Sequence, residues 1–217
     1  MTSRGIAYPT HHYVLDIETT DLRDTAAIFS IGCVNIERTL SVNYEPVQFR
    51  VGEKKLFSLS IPEMLSRGCT ISDVTIEFWK TVDSMARDQF VQSNECTTNI
   101  NASVYGQLIA HLIGTEENQM NSPILWCKNP WYVETVLRKN MHLIPELNTE
   151  HNQFGQRALR RLFANIRDAE FPGKLTEYGY PLTYSEIPHL ATADAIALAK
   201  NLIEANTHLP HNMSLFY

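Results

Sequence analysis

The chain has 217 residues, 44% of them hydrophobic and 19% charged, enough apolar surface to offset the ordering entropy of a core, which excludes disorder as its dominant state. Nine glycines and ten prolines without a period exclude a fibrous repeat. With 18 Lys and Arg against 24 Asp and Glu, the formal charge of −6 excludes a histone-like coat, which needs a basic surface, though not an enzyme that gathers carboxylates around metal ions.

The length fits one domain of generous size, or two small ones at most; a single domain over 1–217 is expected, with a core of about 12–205 and flexible termini. The first residues contain no apolar h-region. No window approaches the roughly 20 apolar residues of a spanning helix, so no membrane partner is expected. Cys33, Cys69, Cys96 and Cys127 form no CxxC pair. They are expected as reduced thiols of a cytoplasmic protein, not as a disulfide frame or a zinc site.

In chain order, β-formers predict a first strand over 11–18, ended by the polar run Thr19-Thr20-Asp21. Strands follow over 27–36 and 46–51, and their short connections predict an antiparallel meander. Helical spacing then predicts helices over 71–80, 83–91 and 103–113. A short buried strand is expected at 124–127, followed by a helix through Val133, Val136 and Leu137. Basic helical spacing runs over 157–166, a Gly/Pro/Tyr-rich loop over 171–188, and an Ala-rich helix over 193–205. The tail after His208 is expected to be a flexible end. Strands first, then helices alternating with a strand, predict an α/β domain with a mixed sheet.

Asp16 and Glu18 stand two apart on the first strand, so their side chains share a face. Two buried carboxylates side by side repel each other and lose hydration. A divalent metal compensates both costs; a pair of charges facing water at a strand edge would not need one. His189 falls just before the last helix and Asp194 in its first turn. Such an Asp can simply complement the helix dipole, and such a His can be a capping residue. Together they suit a different role: a histidine titrating near neutrality beside a metal-ligating carboxylate can take a proton from water.

These residues carry a resemblance. Asp16-Ile17-Glu18-Thr19-Thr20, the following Ala27-Ile28-Phe29-Ser30-Ile31-Gly32, and His189-x4-Asp194 resemble the first and third motifs of the DEDDh 3′–5′ exonucleases of the ribonuclease H-like superfamily. Thr75-Ile76-Glu77-Phe78-Trp79-Lys80, Met85-Ala86-Arg87 and Gln156-Arg157-Ala158-Leu159-Arg160 resemble stretches of a phage and bacterial exonuclease VIII-like subgroup. The resemblance covers about 12–205. It implies a ribonuclease H-like mixed five-stranded sheet, an antiparallel meander plus parallel strands, flanked by helices.

It also implies a metal-dependent 3′–5′ exonuclease releasing nucleoside monophosphates from single-stranded DNA or RNA 3′ ends. Two Mg²⁺ or Mn²⁺ ions about 3.5–4 Å apart would stabilise the attacking and leaving oxygens. Asp16 would bridge them, Glu18 and Asp194 would hold the first, and His189 would be the general base. The middle motif departs from the pattern. Ile124 to Val133 fits its frame, with Tyr132 as the aromatic and Val133 where the family has Asp. Valine has no lone pair for a hard cation, and Glu134 sits about 100° around the helix. The second ion is therefore expected to be weakly held.

Phe78 and Trp79 are candidates to stack on terminal bases, with the alternative that one of them faces the core. Arg87, Lys128, Arg157, Arg160 and Arg161 are candidates for phosphate contacts, although a basic helix face can also be solvated surface. The resemblance supports Arg157 and Arg160 but not Arg161. Asn129 and Tyr132, in the middle-motif frame, complete the nucleic-acid candidates. Besides the active exonuclease, two readings stay open: an oligonucleotidase differing in substrate length, and a catalytically impaired nuclease fold serving as a binding or inhibitory module. Relatives often dimerise, so a homodimer is among the expected partners. The phage-like flavour of the resemblance implies a viral or mobile-element protein working in a host cytoplasm.

Overall fold

A computed structural model describes residues 11–39, 48–114, 123–148, 153–170, 182–209 and 215–216. Its sheet is built from β1 (His12–Thr19), β2 (Ile28–Thr39), β3 (Gln48–Ser58), β4 (Ile124–Cys127) and β5 (Ile166–Asp168). The order is β3-β2-β1-β4-β5. The first three strands pair antiparallel, whereas β4 runs parallel to β1 and β5 parallel to β4. This is the mixed five-stranded α/β sheet expected of a ribonuclease H-like fold.

The helices are α1 (Ile61–Ser66), α2 (Asp73–Thr81), α3 (Ser84–Glu95), α4 (Asn101–Ile113), α5 (Pro130–His142), α6 (Pro145–Asn148), α7 (Gln153–Leu162) and α8 (Ala191–His208). None of them is long and apolar enough to cross a membrane. Alternation along β1 decides which face meets which helices. Tyr13, Leu15 and Ile17 point into a core completed by Leu108 and Leu112 of α4, Val136 and Leu137 of α5, and Ala158 and Leu162 of α7. Fully burying each such leucine is worth about 1.5–3 kcal/mol. Val14 points the other way, onto Ala195, Ala199 and Leu202 of α8. By the same alternation Asp16 and Glu18 face the α8 layer. A third cluster of Phe29, Ile61, Trp79, Ala86 and Phe90 packs α1, α2 and α3 together.

The seat of α8 depends on one glycine. Gly32 lies opposite Asp16 across the β1–β2 ladder. A Cβ placed on it would come within 2.1 Å of the Ala191 carbonyl oxygen. A bare backbone at Gly32 therefore lets the first turn of α8 rest on the sheet next to Asp16.

Several boundaries differ from the sequence expectation. β3 continues to Ser58, and residues 46–47 of the predicted strand lie outside the described residues. The helix expected over 157–166 ends at Leu162, and Ile166 opens β5 instead. There it pairs with Leu125, a tertiary partner that overrides helical spacing. α1 and α6 were not expected. α1 is closed by Ser60, whose side chain accepts from the Glu63 amide. Residues 171–181 of the predicted loop are outside the described part. At the other end Phe216 is buried against His12, Phe49 and Trp126, where a flexible tail was expected. Its ring fills the apolar surface left beside α8.

Candidate active site

The site forms where the end of β1 meets the start of α8. Chain entry to α8 is tight. His189 has φ 65°, a left-handed conformation that costs a non-glycine residue free energy. Its amide donates to Asp194 Oδ2 at 2.8 Å, so the carboxylate of the first turn holds the strained residue that precedes the helix. Candidate ligand atoms of Glu18, His189 and Asp194 lie within 4.8 Å of one another.

Electrostatics at this point are uncompensated. Burial, then the charge of Asp194, pushes the Asp16 carboxyl well above the usual range, with Lys128 opposing. Burial, then Asp16 and Asp194, pushes Glu18 up as well. Such groups stay protonated or find a cation. Three carboxylates with an imidazole beside them are the oxygen-rich donor set of a hard divalent ion. The residues present therefore fit one such ion.

A cleft of about 440 Å³ opens over the cluster. Asp16, Glu18, His189 and Asp194 line it together with Lys128, Glu170, Tyr184 and Asn201. Lys128 Nζ stands 3.5 Å from Glu170 Oε1, with both side chains more than half exposed. Asn201 of α8 accepts from the Thr183 amide at 2.7 Å and donates to the Thr183 carbonyl at 2.9 Å. That pair of bonds pins the segment carrying Tyr184, which is 80% exposed at the cleft.

The middle motif adopts the expected frame without presenting an acid. Asn129 has φ 50° and caps α5, its side chain accepting from the Tyr132 amide at 3.4 Å. Pro130 follows at the start of the helix, where a missing amide costs nothing. Val133 is 5% exposed and is a packing residue. Glu134 turns its carboxylate to Arg138 at 2.6 Å. The Tyr132 hydroxyl donates to the Asp21 carbonyl at 3.0 Å and lies 3.2 Å from Thr19 Oγ1. It ties the start of α5 to the end of β1. Asn129 and Tyr132, expected as nucleic-acid contacts, are thus committed to internal hydrogen bonds.

The two adjacent aromatics of α2 divide. Phe78 is 41% exposed, and its ring meets the His189 ring edge-on at 4.9 Å. Trp79, expected to stack on bases, is 2% exposed. It packs on Phe29 and Phe90 and donates Nε1–H to the Thr19 carbonyl. Its indole belongs to the core because α2 must bury one side of its surface against β2. Arg87 is exposed on α3 and does not line the cleft. Arg157, Arg160 and Arg161 are exposed on α7. That helix packs on the sheet face opposite α8, so it does not bring the expected phosphate contacts Arg157 and Arg160 to the carboxylates.

Glu170 and Tyr184 escaped sequence reasoning. Glu170 reaches the cleft because β5 lies parallel to β4, a pairing no local pattern announces. Tyr184 lay in a loop recognised only by composition. A family model described as a 3′–5′ exoribonuclease Rv2179c-like domain matches residues 11–205. No curated protein matches the chain.

Proposed function

The chain belongs to the Rv2179c-like 3′–5′ exoribonuclease family, and from that premise we propose a metal-dependent hydrolase of single-stranded RNA 3′ ends that releases nucleoside monophosphates. The observation carrying this reading is the meeting of Glu18, His189 and Asp194 within 4.8 Å, beside the uncompensated Asp16. Asp16, Glu18 and Asp194 would hold Mg²⁺ or Mn²⁺. When bound, the ion supplies positive charge to phosphoryl oxygens that grow more negative in the transition state.

The remaining work belongs to the chain itself. His189 takes the proton of the attacking water, a role suited to an imidazole near neutral pH. Its strained backbone and its bond to Asp194 hold it in place. Phe78, edge-on to His189, and Tyr184, which lines the cleft, offer their rings to the terminal bases. Without a cation the carboxyls of Asp16 and Glu18 stay protonated and the site loses the positive charge that would draw a phosphodiester in, so RNA binding should be poor in a chelator. The competing reading, a nuclease fold that only binds, draws on the buried Val133. It leaves Asp16, Glu18 and Asp194 without a purpose, because buried carboxylates weaken a phosphate-binding surface.

The test uses single strands of RNA and DNA labelled at the 5′ end, incubated with Mn²⁺ or with EDTA. The expected result is a ladder shortening from the 3′ end in Mn²⁺ only, faster for RNA. Internal fragments, or shortening that survives EDTA, would refute the reading.

A further inference from the structure

We propose that this site works with one divalent ion, and that the ammonium group of Lys128 does the work of the second. The inference rests on the exonuclease reading above. The carboxylates of β1 and α8 suit one ion: candidate ligand atoms of Glu18 and Asp194 lie within 4.8 Å of each other and of the His189 imidazole, with Asp16 close enough to Asp194 to feel its charge. The resemblance implies that a second ion would draw on an acid at the start of α5, and the side chain at that position is Val133. Val133 is buried and has no lone pair, while the Glu134 carboxylate is held by Arg138.

The register places a cation there instead. β4 runs parallel to β1, with Val14 paired to Trp126. Two residues further along each strand stand Asp16 and Lys128, which brings them out at the same end of the sheet. Among the described residues Lys128 is the one Lys or Arg lining the cleft. Its partner is Glu170, the one remaining carboxylate of the cleft, at 3.5 Å. An ion pair this exposed is weak and easily exchanged for a phosphate. A lysine is a compact point charge on a flexible stem, able to follow a moving oxygen.

In the hydrolysis a water oxygen bonds to phosphorus while the bond from phosphorus to the penultimate 3′-oxygen breaks. His189 takes the water proton. The departing 3′-oxygen keeps the electron pair of the broken bond and collects a proton from solvent. Lys128 offsets its negative charge in the interval, having left Glu170 for the phosphate.

The experiment titrates Mn²⁺ into the full chain and counts bound ions by electron paramagnetic resonance, with turnover of a short RNA measured alongside. Expected for the wild type is one ion per chain. Lys128→Ala should still bind one ion with affinity within about threefold, because Lys128 is not a ligand, yet lose kcat by roughly a hundredfold to a thousandfold, the loss typical of one transition-state donor. Lys128→Arg should recover part of it. Two ions of similar affinity in an active wild type, or an unchanged kcat in Lys128→Ala, would overturn the proposal and leave the exonuclease reading standing. No turnover by the wild type in Mg²⁺ or Mn²⁺ would overturn both.

Discussion

The two sides of the cleft are built on opposite principles. Where β1 meets α8, carboxylates crowd together, backbone strain is held at His189, and a bare glycine lets the helix approach. Where β4 meets α5, the corresponding frame is relaxed: Val133 packs, Glu134 pairs with Arg138, and Tyr132 braces the end of β1. One side carries an electrostatic cost that bound protons or a cation must relieve, whereas the other has traded chemistry for packing. A left-handed residue opens the helix on each side, Asn129 as well as His189, but crowded carboxylates stand on the first side, and local rules tend to be broken where function resides.

Removing a member of the strained side should have the largest effect. Asp16→Asn is expected to lower turnover at least about a thousandfold. It should also raise the melting temperature of the metal-free protein, because burying Asp16 beside Asp194 requires it to take up a proton, a cost the amide does not carry; calorimetry reads this sign. Gly32→Ala should come next. Its Cβ would meet the Ala191 carbonyl, and an overpacked contact of this kind costs about 1–3 kcal/mol. The unfolding free energy from denaturant titration should fall by that amount, and Mn²⁺ affinity should fall with it as α8 lifts away from Asp16.

The pH dependence sharpens the comparison further. Asp16 and Glu18 have raised folded-state values, so above the ordinary carboxylate range the native state binds more protons than the unfolded chain. Their contribution is present at low pH and lost as pH rises. His12, lowered by burial to about 4, acts in the opposite sense, but only below its ordinary value. From about pH 7 to 8.5, then, the metal-free protein should lose stability in thermal melts. Saturating Mn²⁺ should remove the slope, since the ion takes the place of the protons, and a rising or flat metal-free curve would contradict the electrostatics. Smaller still, Phe78→Ala should raise KM by about tenfold with kcat nearly unchanged, the worth of one stacked base. A lower kcat instead would mean that Phe78 serves mainly to orient His189.

The strained side was also the legible one. Alternation on a strand puts Asp16 and Glu18 on one face, and the start of a helix is visible from Ala-rich spacing, so His189 and Asp194 could be located without coordinates. The mixed character of the sheet, an antiparallel meander plus parallel strands, followed from the same strands and the family resemblance. What stayed hidden depended on contacts distant in sequence. Phe78 and Trp79 are neighbours of similar character, and only the seat of α2 on Phe29 separates the exposed one from the buried one. The basic face of α7 was visible as a pattern, but which side of the sheet the helix covers is a tertiary fact. β5, three residues long, has no periodicity to detect and exists through its pairing with β4. The juxtaposition of Lys128 and Glu170 follows from that pairing.

The most direct test of the division between the two sides is nucleoside monophosphate release from a 5′-labelled RNA in Mn²⁺, measured side by side for the wild type, Asp16→Asn and Glu134→Gln. The expected result is that the wild type and Glu134→Gln release product at rates within about twofold, because Glu134 makes only a partly exposed pair with Arg138, while Asp16→Asn releases none. Release that persists in Asp16→Asn, or that is lost in Glu134→Gln, would contradict the account.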